Sequence, residues 1–297
     1  MDEYKLDKNL EKKPSYKSLL GKYFDILNQF EPNEYTLYRG QSITNYEPYC
    51  TQELEPLPSL LRSGGGTPEK FLSIMKSPTS REELGLTEHD IHDWARLEEQ
   101  NFIELEKKLL NYFDELSMKI GYRKLDSKLE KLVTMQHCGI PTRLLDWTTN
   151  PLKALFFAVD KVKYHGNYGE NGVVYLLKYD REKIYSRNYI KQVLETPGEK
   201  LEQINPVYPE PNHPRVLAQE SCFTIFPLCT KGTKGKYKSI QDIDGCLLNV
   251  ARIEIPSAHK SYLRNALRLL GINYFTLSPD LDGIGTEINR FFERFKE

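Results

Sequence analysis

Apolar residues recur along this chain at helical and at strand spacing, and the changes between the two predict its elements. In "SYKSLLGKYFDILNQF" (15–30), Leu19, Phe24, Leu27 and Phe30 fall at steps that suit an amphipathic helix. "EYTLYRGQ" (34–41) reads as a short strand ended by Gly40. Residues 90–134 carry Leu, Glu and Lys at helical spacing and predict two helices. "NGVVYLLKYD" (171–180) opens with a turn and continues as a β-branched, aromatic strand. Between 197 and 247 the chain is irregular, with "CFTIFPL" (222–228) and "LLNVARIEIP" (247–256) as strand candidates. The C-terminal part returns to helix, strand, helix. "SAHKSYLRNALRLLG" offers Ser257 as N-cap and Gly271 at C′, and "INYFTL" (272–277) is strand-like. The last segment puts Ile284, Ile288, Phe291, Phe292 and Phe295 on one helical face. Segregated helices and short strands predict an α+β architecture in one domain, 15–297, behind a charged, solvated arm at 1–14.

One stretch departs from ordinary patterning. "QHCGIPTRLLDWTTNPLKALFFAV" (136–159) sets a polar, charged string against a strongly apolar helix. Asn150 followed by Pro151 is a helix start: an N-cap acceptor, then a residue preset for the first turn. Leu152, Leu155, Phe156, Val159 and Val162 then repeat at helical steps, away from Lys153, Asp160 and Lys163. "TRLLDWTT" before it has strand character, so Arg143, Leu145 and Trp147 share one face and Leu144, Asp146 and Thr148 the other. Arg143 and Asp146 therefore need separate partners if buried. A strand feeding a helix N-terminus presents backbone N–H groups to a phosphate or carboxylate, and the threonine hydroxyls add donors. The bland account gives the same residues to ion pairs, a cap and the core.

Composition narrows the classes. Lys plus Arg number 41 and Asp plus Glu 42, a formal charge of −1, which argues against a general polyanion binder. Five cysteines are widely spaced with no CxxC pair, so a structural zinc site is not expected, and thiols without a signal peptide point to the cytoplasm. No apolar run approaches the roughly 20 residues that span a bilayer, so no membrane partner is expected. Glu88–Asp93 holds two histidines three apart among carboxylates; an acidic helix start explains it more simply than a metal. No serine or cysteine shows a nucleophile signature, and no carboxylate cluster fits a metal-dependent nuclease.

Five blocks carry a resemblance: "LYRGQ" (37–41), "LPSLLR" (57–62), "MQHCGIPTRLLDWTTNPLKALFFA" (135–158), "RVLAQESCFTIF" (215–226) and "GINYFTLSPDLDGIG" (271–285). Together, in this order, they resemble the FRG domain family, named for an aromatic–Arg–Gly motif matched by Tyr38, Arg39 and Gly40. Cys138 stands where an aromatic residue is usual, and Ser221 where a glycine is. The resemblance implies a bacterial or phage protein, and the family's genomic company implies antiphage defence or toxin activity.

The order of elements is also similar to the arginine–serine–glutamate class of ADP-ribosyltransferases, which implies a split sheet flanked by helices and NAD as substrate. Arg39 matches the early-strand arginine, Thr148 and Thr149 the Ser/Thr strand, and Gln219 with Glu220 the late acidic strand. Arginine suits a pyrophosphate, and a carboxylate steadies the oxocarbenium-like ribose formed as nicotinamide leaves. Gln219, Glu220 or Asp146 would supply that polar group. Tyr38 and Trp147 would stack on nicotinamide; Gly40, Gln41, Arg62, His137 and Arg143 complete the expected pocket. His137 would orient substrate or move a proton, or simply be satisfied by a carbonyl. The acceptor would be water, a protein or a nucleic acid. The competing reading is a non-catalytic module whose Arg39, Arg62 and Arg143 hold a nucleotide or phosphorylated ligand.

Overall fold

The computed structural model describes residues 2–6, 15–42, 99–140, 142–160, 171–196, 201–210, 214–227 and 245–294. The LPSLLR block, Arg62 and the Glu88–Asp93 cluster lie outside the described residues. The strands are β1 (Asp2–Lys5), β2 (Thr36–Gln41), β3 (Leu144–Thr148), β4 (Gly172–Tyr179), β5 (Asn205–Val207), β6 (Ser221–Ile225) and β7 (Leu247–Ile255). The helices are α1 (Tyr16–Gln29), α2 (Glu99–Lys119), α3 (Lys128–His137), α4 (Pro151–Ala158), α5 (Arg187–Glu195), α6 (Pro214–Ala218), α7 (Ser257–Leu269), α8 (Tyr274–Leu277) and α9 (Leu281–Arg294).

The described strands form one mixed sheet in the order β1-β7-β4-β2-β3-β6-β5, flanked by helices, which is the α+β arrangement expected. β1 runs parallel to β7, and every other neighbouring pair is antiparallel. The sheet is split. β2 and β3 meet at the single pair Tyr38–Thr148; beyond it β2 continues along β4 and β3 along β6. Side-chain alternation sends Tyr38, Val174 and Leu176 into a core under α1, α4 and α7. Leu144, Phe223 and Ile225 enter a second core under α3 and α5. On the other face Leu37, Tyr175, Leu145 and Trp147 share one apolar layer that bridges the split.

Among the described glycines, the closest backbone approach is that of Gly40 in β2 to α4. A Cβ on Gly40 would stand 1.7 Å from the Ala154 carbonyl oxygen and 2.8 Å from the Ala158 nitrogen. Gly172 on the neighbouring β4 is pressed the same way against the Ala158 carbonyl, at 2.0 Å. Helix backbone lies directly on strand backbone, with alanine on one side and glycine on the other. Asn150 caps α4 by accepting from Leu152 N at 3.0 Å and Lys153 N at 3.3 Å, with Pro151 at N1, as the sequence predicts.

Several expectations fail locally. Asp2–Lys5, within the segment expected as a solvated arm, hydrogen-bonds along the edge of β7; Leu6 is buried and Lys5 pairs with Glu254 at 2.6 Å. Phe24 is exposed, and Tyr23 takes the buried position, its hydroxyl donating to the Pro151 carbonyl. Ser257 is the first helical residue behind Pro256 and makes no side-chain cap, while Gly271 does stand just past the helix with φ +79°. Residues 272–277 are not a strand: Asn273 and Thr276 form a reciprocal capping box that starts α8, and this local hydrogen bonding overrides β-propensity. "RVLA" is helical, and Gln219 and Glu220 occupy a turn before β6, so strand alternation does not govern them. On α9, Ile284, Ile288, Phe291 and Phe292 face outward; Phe295 lies outside the described residues. Polar anchors set that helix instead: Arg290 pairs with Asp160 at 2.8 Å and lies over the Tyr274 ring, and Glu287 accepts from Tyr274 N.

Gly40→Ala should lower unfolding free energy by roughly 3 kcal/mol, because neither backbone can give way cheaply. Urea denaturation measures this, and a loss below about 1 kcal/mol would contradict the seating of α4 on β2.

Candidate functional site

The split in the sheet brings the aromatic–Arg–Gly motif to the end of the threonine-bearing strand. In β2 three consecutive residues do three different things. Tyr38 is buried in the α1/α4 core, where burial pushes its hydroxyl pKa up to about 12. Gly40 admits α4. Arg39 spans the gap: its Nη1 donates to the Asp146 carbonyl at 2.8 Å and lies 3.5 Å from Asp146 Oδ2. The Arg39 side chain is 10% exposed and that of Asp146 45%, so the pair closes the gap from inside while leaving the carboxylate at the surface. Gln41 ends the strand opposite Val173.

A hydrogen-bond chain holds Asp146 from the other side. Gln136 Nε2 donates to Asp146 Oδ2 at 2.9 Å, Thr142 Oγ1 to Gln136 Oε1 at 2.7 Å, and Leu144 N to Thr142 Oγ1 at 3.1 Å. His137, next to Gln136 at the end of α3, sets its ring edge-on to Phe223 of β6 at 5.9 Å. Arg143 sits elsewhere. It is buried and faces Glu106 of α2, Nε to Oε2 at 3.0 Å and Nη2 to Oε1 at 3.1 Å, with Lys128 on the same carboxylate at 2.6 Å. Arg143 and Asp146 thus take separate partners, as alternation required. Trp147 is buried on the opposite face, its Nε1 donating to Thr224 Oγ1 at 3.0 Å.

The β3–α4 turn meets the α6–β6 turn edge to edge. Tyr38, Thr148 and Ser221 stand in register across three strands. Thr148 Oγ1 donates to the Gln219 carbonyl at 2.7 Å, and Gln219 Nε2 to the Leu277 carbonyl at 3.0 Å. Glu220 has φ +48°, a left-handed conformation that costs a non-glycine residue about 1 kcal/mol. Its carboxylate accepts from Lys153 Nζ at 2.8 Å and from Asn150 Nδ2 and Thr149 Oγ1 at 3.3 Å each. Partial burial alone would raise the Glu220 pKa, but these hydrogen bonds outweigh it and hold the carboxyl below its usual value. The first N–H groups of α4, expected as a phosphate cradle, are already taken by Asn150.

Three residues in this array were not singled out as site residues from sequence: Gln136, Asn150 and Lys153. Gln136 sits inside the quoted block, and an uncharged amide one residue from a helix end is the weak signal that could have marked it. Lys153 looks solvated on the helical wheel, yet it reaches the Ala218 carbonyl at 2.5 Å as well as Glu220.

These placements put Arg39, Asp146 and Thr148 on two neighbouring strands, with Thr149 in the turn after β3 and Gln219 and Glu220 in the turn before β6. Residues 85–166 match the FRG domain. The FRG match takes in α2, α3, β3 and α4, hence Gln136, Asp146, Thr148 and Thr149; β2, with Arg39, and β6 fall outside it. No curated protein and no solved structure matches the chain. Among the described residues no helix is long and apolar enough to cross a membrane, and no group of three or more His, Cys, Asp or Glu could hold a metal ion.

The Glu220 contacts make a pH test. A carboxyl whose folded pKa is depressed stabilises the protein above its unfolded value, and that contribution is lost as pH falls through the folded value. Glu220→Gln should therefore be less stable than the parent at pH 7 by about 0.5 kcal/mol, screened as the site is. The gap should close as pH drops below about 4. Urea midpoints at pH 7 and pH 3.5 read it; a gap that stays the same at both would remove charge from the account.

Proposed function

We propose that this FRG-domain chain is an NAD-binding enzyme of ADP-ribosyltransferase or NAD glycohydrolase type. The observation that carries this reading is the adjacency of β2, β3 and β6. An arginine strand, a Thr-Thr strand end that opens a helix and a glutamate turn lie side by side, in register at Tyr38, Thr148 and Ser221. In this reading Arg39 turns from the exposed Asp146 carboxylate toward the pyrophosphate and keeps its bond to the Asp146 carbonyl. Glu220, held ionised by Lys153 and Asn150, faces the positive charge that develops on the ribose. The bond between ribose C1′ and the nicotinamide nitrogen breaks, and its electron pair leaves with nicotinamide. A water, protein or nucleic-acid nucleophile bonds to C1′ and gives up its proton to the carboxylate or to solvent. Toxin or antiphage-defence activity belongs to the same reading, since loss of NAD or modification of an acceptor would arrest a cell.

Two observations favour a second reading, a module that binds a nucleotide or phosphorylated ligand without cleaving it. Arg39 and Glu220 both have partners within the chain, and Tyr38 and Trp147, the candidate stacking residues, are buried in the core layers.

Incubation of the purified chain with NAD, followed by mass-spectrometric detection of nicotinamide, separates the two. The enzyme reading expects release that falls at least about 100-fold in Glu220→Gln and about tenfold or more in Arg39→Lys, which keeps charge but loses the planar fork. Thermal stabilisation by NAD without release would support the binding module. Neither release nor stabilisation would sink both.

A further inference from the structure

α2, α3 and α6 line a cavity of about 720 Å³ that none of the roles above uses, apart from His137 in its wall. Phe113 of α2, Leu129 and Val133 of α3 and Val216 of α6 give it an apolar floor, with Ser117 of α2 beside them. Its rim is polar and paired. Arg187 forms an ion pair with Glu210, and Arg215 meets Asp280 at 2.5 Å and Asp282 at 3.5 Å. A concave site of this size, with an apolar body and a few convergent polar groups, has the dimensions of a small-molecule site.

The rim chemistry narrows the ligand. Arg187 and Arg215 each already face a carboxylate, so a purely ionic ligand at either would have to break a pair to enter. A ligand with a flat apolar face and several uncharged donors gains on both counts. Planar bases pack on the floor, and hydroxyls donate to ionised carboxylates. Glu210 fits that acceptor role, because the hydrogen bond from Arg187 holds its carboxyl below the usual range. A single anionic group can also be placed: the Asp282 side chain is 91% exposed, so its hold on Arg215 is weak and replaceable.

The cavity shares two walls with the strand array. α3 ends in Gln136, which holds Asp146, and His137, which faces the cavity. α6 supplies Arg215 and Val216 to the cavity and then delivers Gln219 and Glu220. We propose that this cavity is a nucleoside site, with the base on the Val133 floor, the ribose hydroxyls at Glu210 and a 5′-phosphate at Arg215. The inference rests on the nucleotide reading above and names the part of the ligand seated away from the reacting bond.

Isothermal titration calorimetry of the full chain with adenosine and with AMP tests it. Both should bind, AMP about fivefold more tightly, and Arg215→Gln should erase that advantage. Val133→Trp fills the floor from α3 and Ser117→Trp from the less buried α2 wall, each cutting adenosine affinity about tenfold or more, with melting curves confirming that each variant folds. Absence of saturable adenosine binding at millimolar concentration, or unchanged binding in both tryptophan variants, overturns the proposal. Nicotinamide release separates the two ideas. Adenosine binding as described without release refutes the enzyme and leaves this site standing; release with unchanged KM in both tryptophan variants refutes the site and leaves the enzyme.

Discussion

Backbone-to-backbone contact between α4 and β2 sets the geometry of everything around it. Gly40 and Gly172 offer no Cβ, Ala154 and Ala158 offer only a methyl, and the helix settles onto the sheet at a distance no larger residue allows. Helix position then dictates the rest. With α4 pinned at its middle and end, its N-terminus must emerge at the Thr148–Asn150 turn, beside the turn that carries Glu220. Lys153, one turn in, reaches across to the same carboxylate. A chain of contacts thus runs from one missing side chain to the position of a charged group in the turn before a different strand.

The split in the sheet has a complementary cause. Where β3 leaves β2, the Asp146 carbonyl loses the strand partner that a continuous ladder would give it, and a part-buried acceptor is left to be satisfied. Arg39 does so with its guanidinium, and one arginine thereby substitutes for a ladder rung. The aromatic–Arg–Gly motif is then one device with three outputs: Tyr38 anchors the strand in the core, Arg39 bridges the gap, and Gly40 receives the helix. Each needs a different residue type, for a different physical reason.

How much of this was legible in the sequence follows from the range of each interaction. The α4 start at Asn150-Pro151, the β3 alternation and the two helices about 99–137 depend on neighbours within a few residues, and the sequence shows them. The strand at Asp2–Lys5 depends on β7, roughly 250 residues away, and nothing local announces it. α9 misleads for a related reason. Its apolar stripe is the pattern of a buried helix, but long-range pairs through Arg290 and Glu287 turn the stripe outward. At 272–277 two polar atoms decide against β-propensity, because a capping box closes within four residues and a strand pairing does not. For the candidate site, the three segments could be named from residue types, whereas their order across the sheet and the Gln136 link depend on tertiary contacts.

The arginines differ in what each could still do. Arg143 is bound at two points to Glu106, both side chains are almost fully buried, and Lys128 competes for the same carboxylate. Withdrawing it would strand a buried charge, a loss of several kcal/mol by the usual measure, so it can serve no ligand. Arg39 is held differently. Its shorter bond is to a neutral carbonyl, and its ionic contact is 3.5 Å long to a carboxylate that solvent also reaches. An ion pair so placed contributes about 1 kcal/mol or less, small beside a bidentate bond to phosphate. The same residue can therefore close the gap at rest and still turn toward an anion without opening the sheet. On energetic grounds, a double role at that position is consistent.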